Sequence, residues 1–70
     1  MSNKCATIID CVIDARKAKG WTQRDLANAS GLAQPAIARL ESKNATPNLE
    51  TLMKVLDALN LELQIVNPRK

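Results

Sequence analysis

Apolar positions recur three and four residues apart in four stretches of this 70-residue chain, which predicts four amphipathic helices. The first should run from about residue 3 to 19. Its stripe of Ile8, Val12 and Ala15 is expected to face the core. Ile9 and Ile13 form a second apolar strip beside that stripe. The two strips are either one wide core face or a core face next to a surface for another subunit.

Polar residues suited to capping precede the other helices. Thr22 is the predicted N-cap of a second helix that ends at Ser30, before a turn supplied by Gly31. A third helix is predicted over residues 33–42, with Ile37 and Leu40 facing inward. Asn48 should cap a fourth helix, whose predicted apolar face consists of Leu49, Leu52, Met53, Leu56 and Leu59.

The pattern changes after residue 60, where Leu61, Leu63 and Ile65 alternate with Glu62, Gln64 and Val66. Alternation with a period of two predicts a short β-strand, and a lone strand needs a partner for its backbone groups. The predicted architecture is therefore all-α, a small bundle of four to five helices with a short C-terminal strand. We divide it into a helical domain over residues 1–60, a dimerising strand over 61–67 and a tail over 68–70.

The amino-acid composition excludes several classes of function. The chain has one Trp and no Phe, Tyr or His, so it lacks the aromatic platforms on which single-stranded nucleic acids stack. Its net charge of +3 is mild, and the positive excess lies within residues 1–47. Two cysteines without histidine are too few for a structural zinc site, so no metal or other cofactor is expected. The short apolar runs exclude a membrane span, and free cysteines suit the cytoplasm.

An enzyme is not expected from this sequence. It offers no His, no evident pair of carboxylates, no glycine-rich phosphate loop and no setting that would activate a thiol. The most informative feature is instead the succession of two short helices separated by Ser30-Gly31-Leu32. That is the pattern of a helix-turn-helix, which commonly places its second helix in the major groove of DNA.

The order of elements and residues resembles the Cro/cI-type helix-turn-helix family of bacterial and phage repressors, also called the XRE family. The resemblance covers about residues 8 to 60 and implies a lambda-repressor-like fold. A strand after the fourth helix is also similar to the antitoxin branch of that family, HipB-like and HigA-like proteins. The matching positions are Gly20-Trp21-Thr22-Gln23, Asp25-Leu26-Ala27, Ser30-Gly31-Leu32, Gln34, Ile37, Arg39-Leu40-Glu41 and Pro47-Asn48-Leu49-Glu50-Thr51-Leu52.

The resemblance implies that Gln23 binds a phosphate at the start of the second helix, and that Gln34 and Arg39 reach base edges. Glutamine pairs two-fold with adenine and arginine with guanine, which agrees with these roles. The family also implies an ion pair between Arg16 and Glu41, which would orient the third helix. The full set of candidate DNA contacts is Thr22, Gln23, Gln34, Pro35, Ala36, Arg39, Ser42, Lys43 and Asn44.

Two functions follow as hypotheses. The first is a sequence-specific regulator of transcription, expected to be a repressor, which binds double-stranded DNA as a homodimer with one recognition helix in each half-site. The alternative is an antitoxin that binds a toxin protein and regulates its own operon. The residues expected at the dimer interface are Ile9, Ile13, Leu61, Leu63 and Ile65.

Overall fold

The computed structural model describes residues 3–44 and 46–63, and within them it contains four helices and no strand. The helices are α1 (Asn3–Ala18), α2 (Gln23–Ser30), α3 (Gln34–Ser42) and α4 (Leu49–Ala58). The predicted all-α architecture is confirmed. Each boundary lies within a residue or two of the one expected from the apolar periodicity and the capping residues.

The helix ends follow from local chemistry. The backbone turns at Gly20 with a φ of 74°, which closes α1 because glycine adopts left-handed conformations without steric cost. At α4 the side-chain oxygen of Asn48 accepts a hydrogen bond from the amide of Thr51 at 2.7 Å. Asn60, with a φ of 58°, takes the left-handed position after that helix.

α2 is the central element of the bundle. It packs against both α3 and α4, while α1 packs against α3. Because each short helix buries only one stripe, the four stripes meet in a single aliphatic core. The buried side chains of that core are Ile9, Val12, Leu26, Ala27, Ile37, Leu40, Leu52, Val55, Leu56 and Leu59.

The core-facing side of α1 differs from the one expected. Ile9 is 1% exposed and belongs to the core with Val12, whereas Ile8 is only half-buried. The reason lies further along the helix: positions 9, 12 and 16 share one face, so the rotation that buries Ile9 also turns Arg16 toward α3. The assignment of Ile9 to a dimer interface is therefore wrong, and Ile13 is itself half-buried against the same core.

The apolar face of α4 is also narrower than predicted at its start. Leu49 is 65% exposed and Met53 37% exposed, while Val55, which the predicted face omitted, is fully buried. Leu52 and Leu56 are buried as expected. Positions 52, 55, 56 and 59 form the stripe that contacts the rest of the bundle, and positions 49 and 53 lie beside it.

The segment after α4 contains no strand over residues 61–63. The amide of Leu61 donates to the carbonyl of Leu56 at 2.8 Å, and the side chains of Leu61 and Leu63 pack against the core. The remainder of the predicted strand, including Ile65, and the predicted tail over 68–70 lie outside the described residues.

The revised position of Ile9 can be tested by stability. Ile9→Ala should lower the free energy of unfolding by about 2–5 kcal/mol, because it removes buried methyl groups and leaves a cavity in the aliphatic core. Met53→Ala, an apolar truncation on the exposed side of α4, should change it by less than about 0.5 kcal/mol. Urea denaturation followed by circular dichroism measures both. Equal stability of the two variants would contradict the assignment of Ile9 to the core.

Candidate nucleic-acid interface

The start of α2 is fixed by a reciprocal cap. The hydroxyl of Thr22 accepts from the amide of Asp25 at 3.1 Å, and the Asp25 carboxylate accepts from the amide of Thr22 at 2.9 Å. This arrangement satisfies two amides that a helix start would otherwise leave unpaired. It places Gln23 in the first turn of α2, beside amides that favour an anion such as a phosphate.

The turn between α2 and α3 is built on Gly31, whose φ is 75°. The amides of Gly31 and Leu32 both donate to the carbonyl of Ala27, which ends α2 and redirects the chain. Ala33 then begins α3 without a side-chain cap, because its methyl group accepts no hydrogen bond. Pro35 lies in the first turn of α3, where its missing amide proton costs nothing.

α3 presents two different faces. Ile37 and Leu40 are buried against the rest of the bundle. The opposite side is exposed over the length of the helix and is polar apart from a proline, while Ala36 is half-buried between the two faces. The exposed residues of α3 are Gln34, Pro35, Arg39 and Ser42. This is the surface that a helix-turn-helix offers to the major groove.

A partly buried ion pair joins α1 to α3. Arg16 donates from Nε to Oε2 of Glu41 at 2.8 Å and from Nη2 to Oε1 at 3.0 Å, a two-pronged contact. The remaining terminal nitrogen, Nη1, donates to the carbonyl of Trp21 at 2.8 Å. The two charged side chains are only 11% and 6% exposed. The ion pair expected from the sequence is thus present.

The same carboxylate also holds Gln23. The amide nitrogen Nε2 of Gln23 donates to Oε1 of Glu41 at 3.1 Å, and Nε2 of Gln34 donates to Oε1 of Gln23 at 3.4 Å. A carboxylate only accepts hydrogen bonds, so Gln23 must turn its nitrogen toward Glu41 and its oxygen toward Gln34. Gln34 keeps its own oxygen and one N–H free, the pair of groups that matches adenine.

The loop after α3 is held by contacts within the chain. The hydroxyl of Ser42 donates to the carbonyl of Arg39 at 2.6 Å and accepts from the amide of Asn44 at 3.3 Å. The ammonium of Lys43 pairs with the carboxylate of Asp10. Three residues were expected to contact phosphates here, and the side chains of two of them, Ser42 and Lys43, therefore have partners within the chain. Neither set of partners was expected from the sequence.

An open cleft adjoins the exposed face of α3. It lies between this helix and the loop that leads into α4, and Arg39 forms part of its wall. The polar side of this cleft is formed by Thr46, Asn48 and Thr51, which are not among the DNA contacts expected from the sequence. The complete lining is Ala36, Arg39, Leu40, Thr46, Pro47, Asn48 and Thr51.

The described residues offer neither a metal site nor a membrane-spanning helix. Residues 3–44 and 46–63 contain no cluster of three His, Cys, Asp or Glu side chains that could hold a metal ion. No helix in the same part of the chain is long and apolar enough to cross a membrane.

These features are those of a DNA-binding helix-turn-helix, and comparison with known proteins gives the same answer. Residues 12–66 match the helix-turn-helix family HTH_3, which is most of the chain. The chain therefore belongs to this family, and the resemblance to XRE-type proteins is confirmed.

Individual proteins similar to this chain are named as transcriptional regulators or antitoxins. A protein of Haemophilus influenzae named as an uncharacterized HTH-type transcriptional regulator is 42% identical over 65 residues, which cover 93% of this chain. Antitoxin HipB of Escherichia coli is 32% identical over 54 residues, or 77% of the chain. The chain spans only 66% and 57% of the lengths of these two relatives.

A solved structure has a similar fold. A chain from the structure of a HipA-HipB-O2-O3 complex superimposes with a TM-score of 0.84 at 25% identity. The match covers 99% of this chain and 97% of that one. The chain therefore shares its overall fold with that protein.

The role of Glu41 generates a prediction. Glu41→Gln should lower the free energy of unfolding by about 3 kcal/mol, because it leaves the Arg16 guanidinium without its counter-charge in a place that water barely reaches. The control Glu50→Gln, at an exposed position in α4, should cost less than about 1 kcal/mol. Thermal and urea denaturation measure both.

A second variant separates the charge from the packing. Arg16→Met combined with Glu41→Leu should recover most of the lost stability, since apolar residues of similar volume often replace a buried ion pair without cost. If Glu41→Gln were as stable as Glu50→Gln, the Arg16–Glu41 ion pair would not contribute to the stability of the fold.

Proposed function

We propose that this protein is a sequence-specific DNA-binding regulator of transcription that acts as a homodimer. The observation that carries the proposal is the exposed face of α3, which includes Gln34 and Arg39. Gln34 is oriented by its hydrogen bond to Gln23, which is itself hydrogen-bonded to Glu41. Gln34 would pair with adenine and Arg39 with guanine. Pro35 and Ala36 are small enough to let α3 approach the bases and to contact a thymine methyl.

Phosphate contacts would position the protein on the duplex. Gln23, beside the N-cap Thr22, would bind a phosphate at the start of α2. On the far side of α3, Ser42, Lys43 and Asn44 would contact the backbone of the same half-site. Ser42 would contribute through the loop geometry that its two hydrogen bonds impose. Repression is the expected outcome, because a protein bound over a promoter excludes other proteins from it.

The homodimer would be formed by the segment after α4, with residues 1–60 as the DNA-binding domain and 61–67 as the dimerising strand. Leu61 and Leu63 border a shallow, mainly apolar groove together with Ile8, Cys11 and Leu56. A second copy related by a two-fold axis would supply the missing strand partner. Half-sites about 34 Å apart, one turn of DNA, would then form an approximate palindrome.

A second function is supported by the relatives: an antitoxin that binds a toxin protein and regulates its own operon. One relative is named antitoxin HipB, and the structural match comes from a complex of HipA with HipB. DNA binding and toxin binding are compatible on separate surfaces. The discriminating observation is a toxin encoded next to this gene whose product copurifies with the chain. We place either activity in the cytoplasm, and neither requires catalysis or a cofactor.

DNA recognition is tested by titrating the protein with its own upstream DNA and with a random-sequence duplex. Gln34→Ala and Arg39→Ala should each reduce the preference for the upstream duplex by about 1–3 kcal/mol, roughly five- to 150-fold, because each removes a base contact. Arg24→Ala, which removes an exposed cation from α2, should weaken binding to both duplexes by a similar factor. Equal affinity of the wild-type protein for both duplexes would contradict sequence-specific recognition.

The dimer is tested by sedimentation. Ile65→Lys should convert a dimer to a monomer without loss of helix, because a charge at the centre of the proposed strand pair would be desolvated without a partner. Met53→Lys, at an exposed apolar position of α4, should leave the mass unchanged. A monomeric wild-type protein, or a dimeric Ile65→Lys variant, would refute this interface.

A further inference from the structure

An ion pair on the protein surface connects α1 to the end of α3. The ammonium of Lys43 contacts Oδ1 of Asp10, which lies 33 residues earlier in the chain. Lys43 is the C-cap of α3, with a left-handed φ of 63°. Asp10 is exposed in the middle of α1. Both side chains are accessible to solvent, so the pair can open without unfolding the protein.

Lys43 is the cation of this loop. The connection between α3 and α4 has the sequence Lys-Asn-Ala-Thr-Pro-Asn, and Lys43 is its one charged residue. The neighbouring Ser42 hydroxyl already has a donor and an acceptor within the chain. Any charge-based attraction between this loop and a DNA phosphate must therefore come from Lys43, whose ammonium is held by a carboxylate in the free protein.

We propose that Asp10 competes with the DNA backbone for Lys43, as an internal substitute for a phosphate. The inference rests on the proposed DNA-binding function and concerns how strongly the protein binds DNA of any sequence. A carboxylate and a phosphate oxygen make the same kind of contact with an ammonium group. When Lys43 moves to a phosphate, Asp10 loses its partner and is left close to a polyanion.

The competition weakens the sequence-independent part of DNA binding. A lysine that neutralises a phosphate releases a counterion from DNA, which drives binding regardless of sequence. The same movement leaves the Asp10 carboxylate without Lys43, and this carboxylate then attracts a cation from solution. The net number of counterions released on binding therefore becomes small. The contacts of Gln34 and Arg39 with bases are unaffected, so Asp10 lowers only the part of the affinity that comes from this phosphate contact, and it does so for DNA of any sequence.

The experiment measures binding to a short random-sequence duplex over a range of salt concentrations. Asp10→Asn removes the competing charge and keeps the shape of the side chain. Asp14→Asn is the matched control: it removes the same charge one turn further along α1, and Asp14 has no ion-pair partner within residues 3–44 and 46–63. Lys43→Asn, alone and with Asp10→Asn, removes the cation while keeping a residue that tolerates positive φ.

The expected result is that Asp10→Asn binds the random duplex roughly two- to fivefold more tightly than Asp14→Asn does, the range set by exposed ion pairs. Its plot of log affinity against log salt should be steeper by up to about 0.9, the value of one extra phosphate contact. Lys43→Asn should cost more affinity in the Asp10→Asn background than in the wild type, because only there is the ammonium free.

Other outcomes would overturn the inference. Equal gains from Asp10→Asn and Asp14→Asn would mean that only net charge matters. Equal losses from Lys43→Asn in both backgrounds would mean that Asp10 does not restrain Lys43. If the wild-type protein and every variant failed to bind either the upstream or the random duplex, DNA binding itself would be refuted and this inference with it. Circular dichroism of each variant confirms that the helices are retained.

Discussion

A single carboxylate connects three of the four helices, and the geometry of the proposed DNA surface depends on it. Glu41 accepts two hydrogen bonds from Arg16 of α1 and one from Gln23 of α2, while its own backbone belongs to α3. With only 6% of its side chain exposed, this carboxylate has lost most of its water. Its partners offset that cost, so the ion pair adds little net stability. What it contributes is direction, because hydrogen-bonded charges hold one relative arrangement where aliphatic contacts tolerate several.

The hydrogen bonds of Glu41 also affect the exposed face of α3. A chain of hydrogen bonds runs from the Arg16 guanidinium through Glu41 and Gln23 to the amide of Gln34. The Arg16 guanidinium can only donate hydrogen bonds and the Glu41 carboxylate can only accept them. Gln23 must therefore donate to Glu41 with its nitrogen, which leaves its oxygen to accept from Gln34. The core places α3, and this chain then orients one side chain on it. Recognition in the proposed complex would therefore be prepared before DNA arrives.

Local signals made most of the fold predictable from the sequence. The caps at Thr22 and Asn48 and the left-handed turn at Gly31 are determined by a few adjacent residues, so their effect does not depend on the rest of the fold. The rotation of a helix about its axis is a different matter. α1 has apolar residues at 8, 9, 12 and 13, so its sequence allows more than one core-facing side, and the packing against the other helices buries Ile9 and Val12. Contacts distant in sequence leave no periodic pattern. The Arg16–Glu41 pair was expected only from the family resemblance, and the contact of Asp10 with Lys43 was missed.

The central claim is that the hydrogen-bonded face of α3 is the surface that contacts DNA. Solution NMR of the protein titrated with its upstream duplex tests it most directly, through the side-chain amide signals of Gln23 and Gln34. If α3 contacts DNA through this face, both signals should shift strongly, Gln34 should show contacts to an adenine, and signals from the buried Ile37 should change little. If the largest shifts mapped instead to α4 and the Gln34 amide stayed unchanged, the claim would be contradicted.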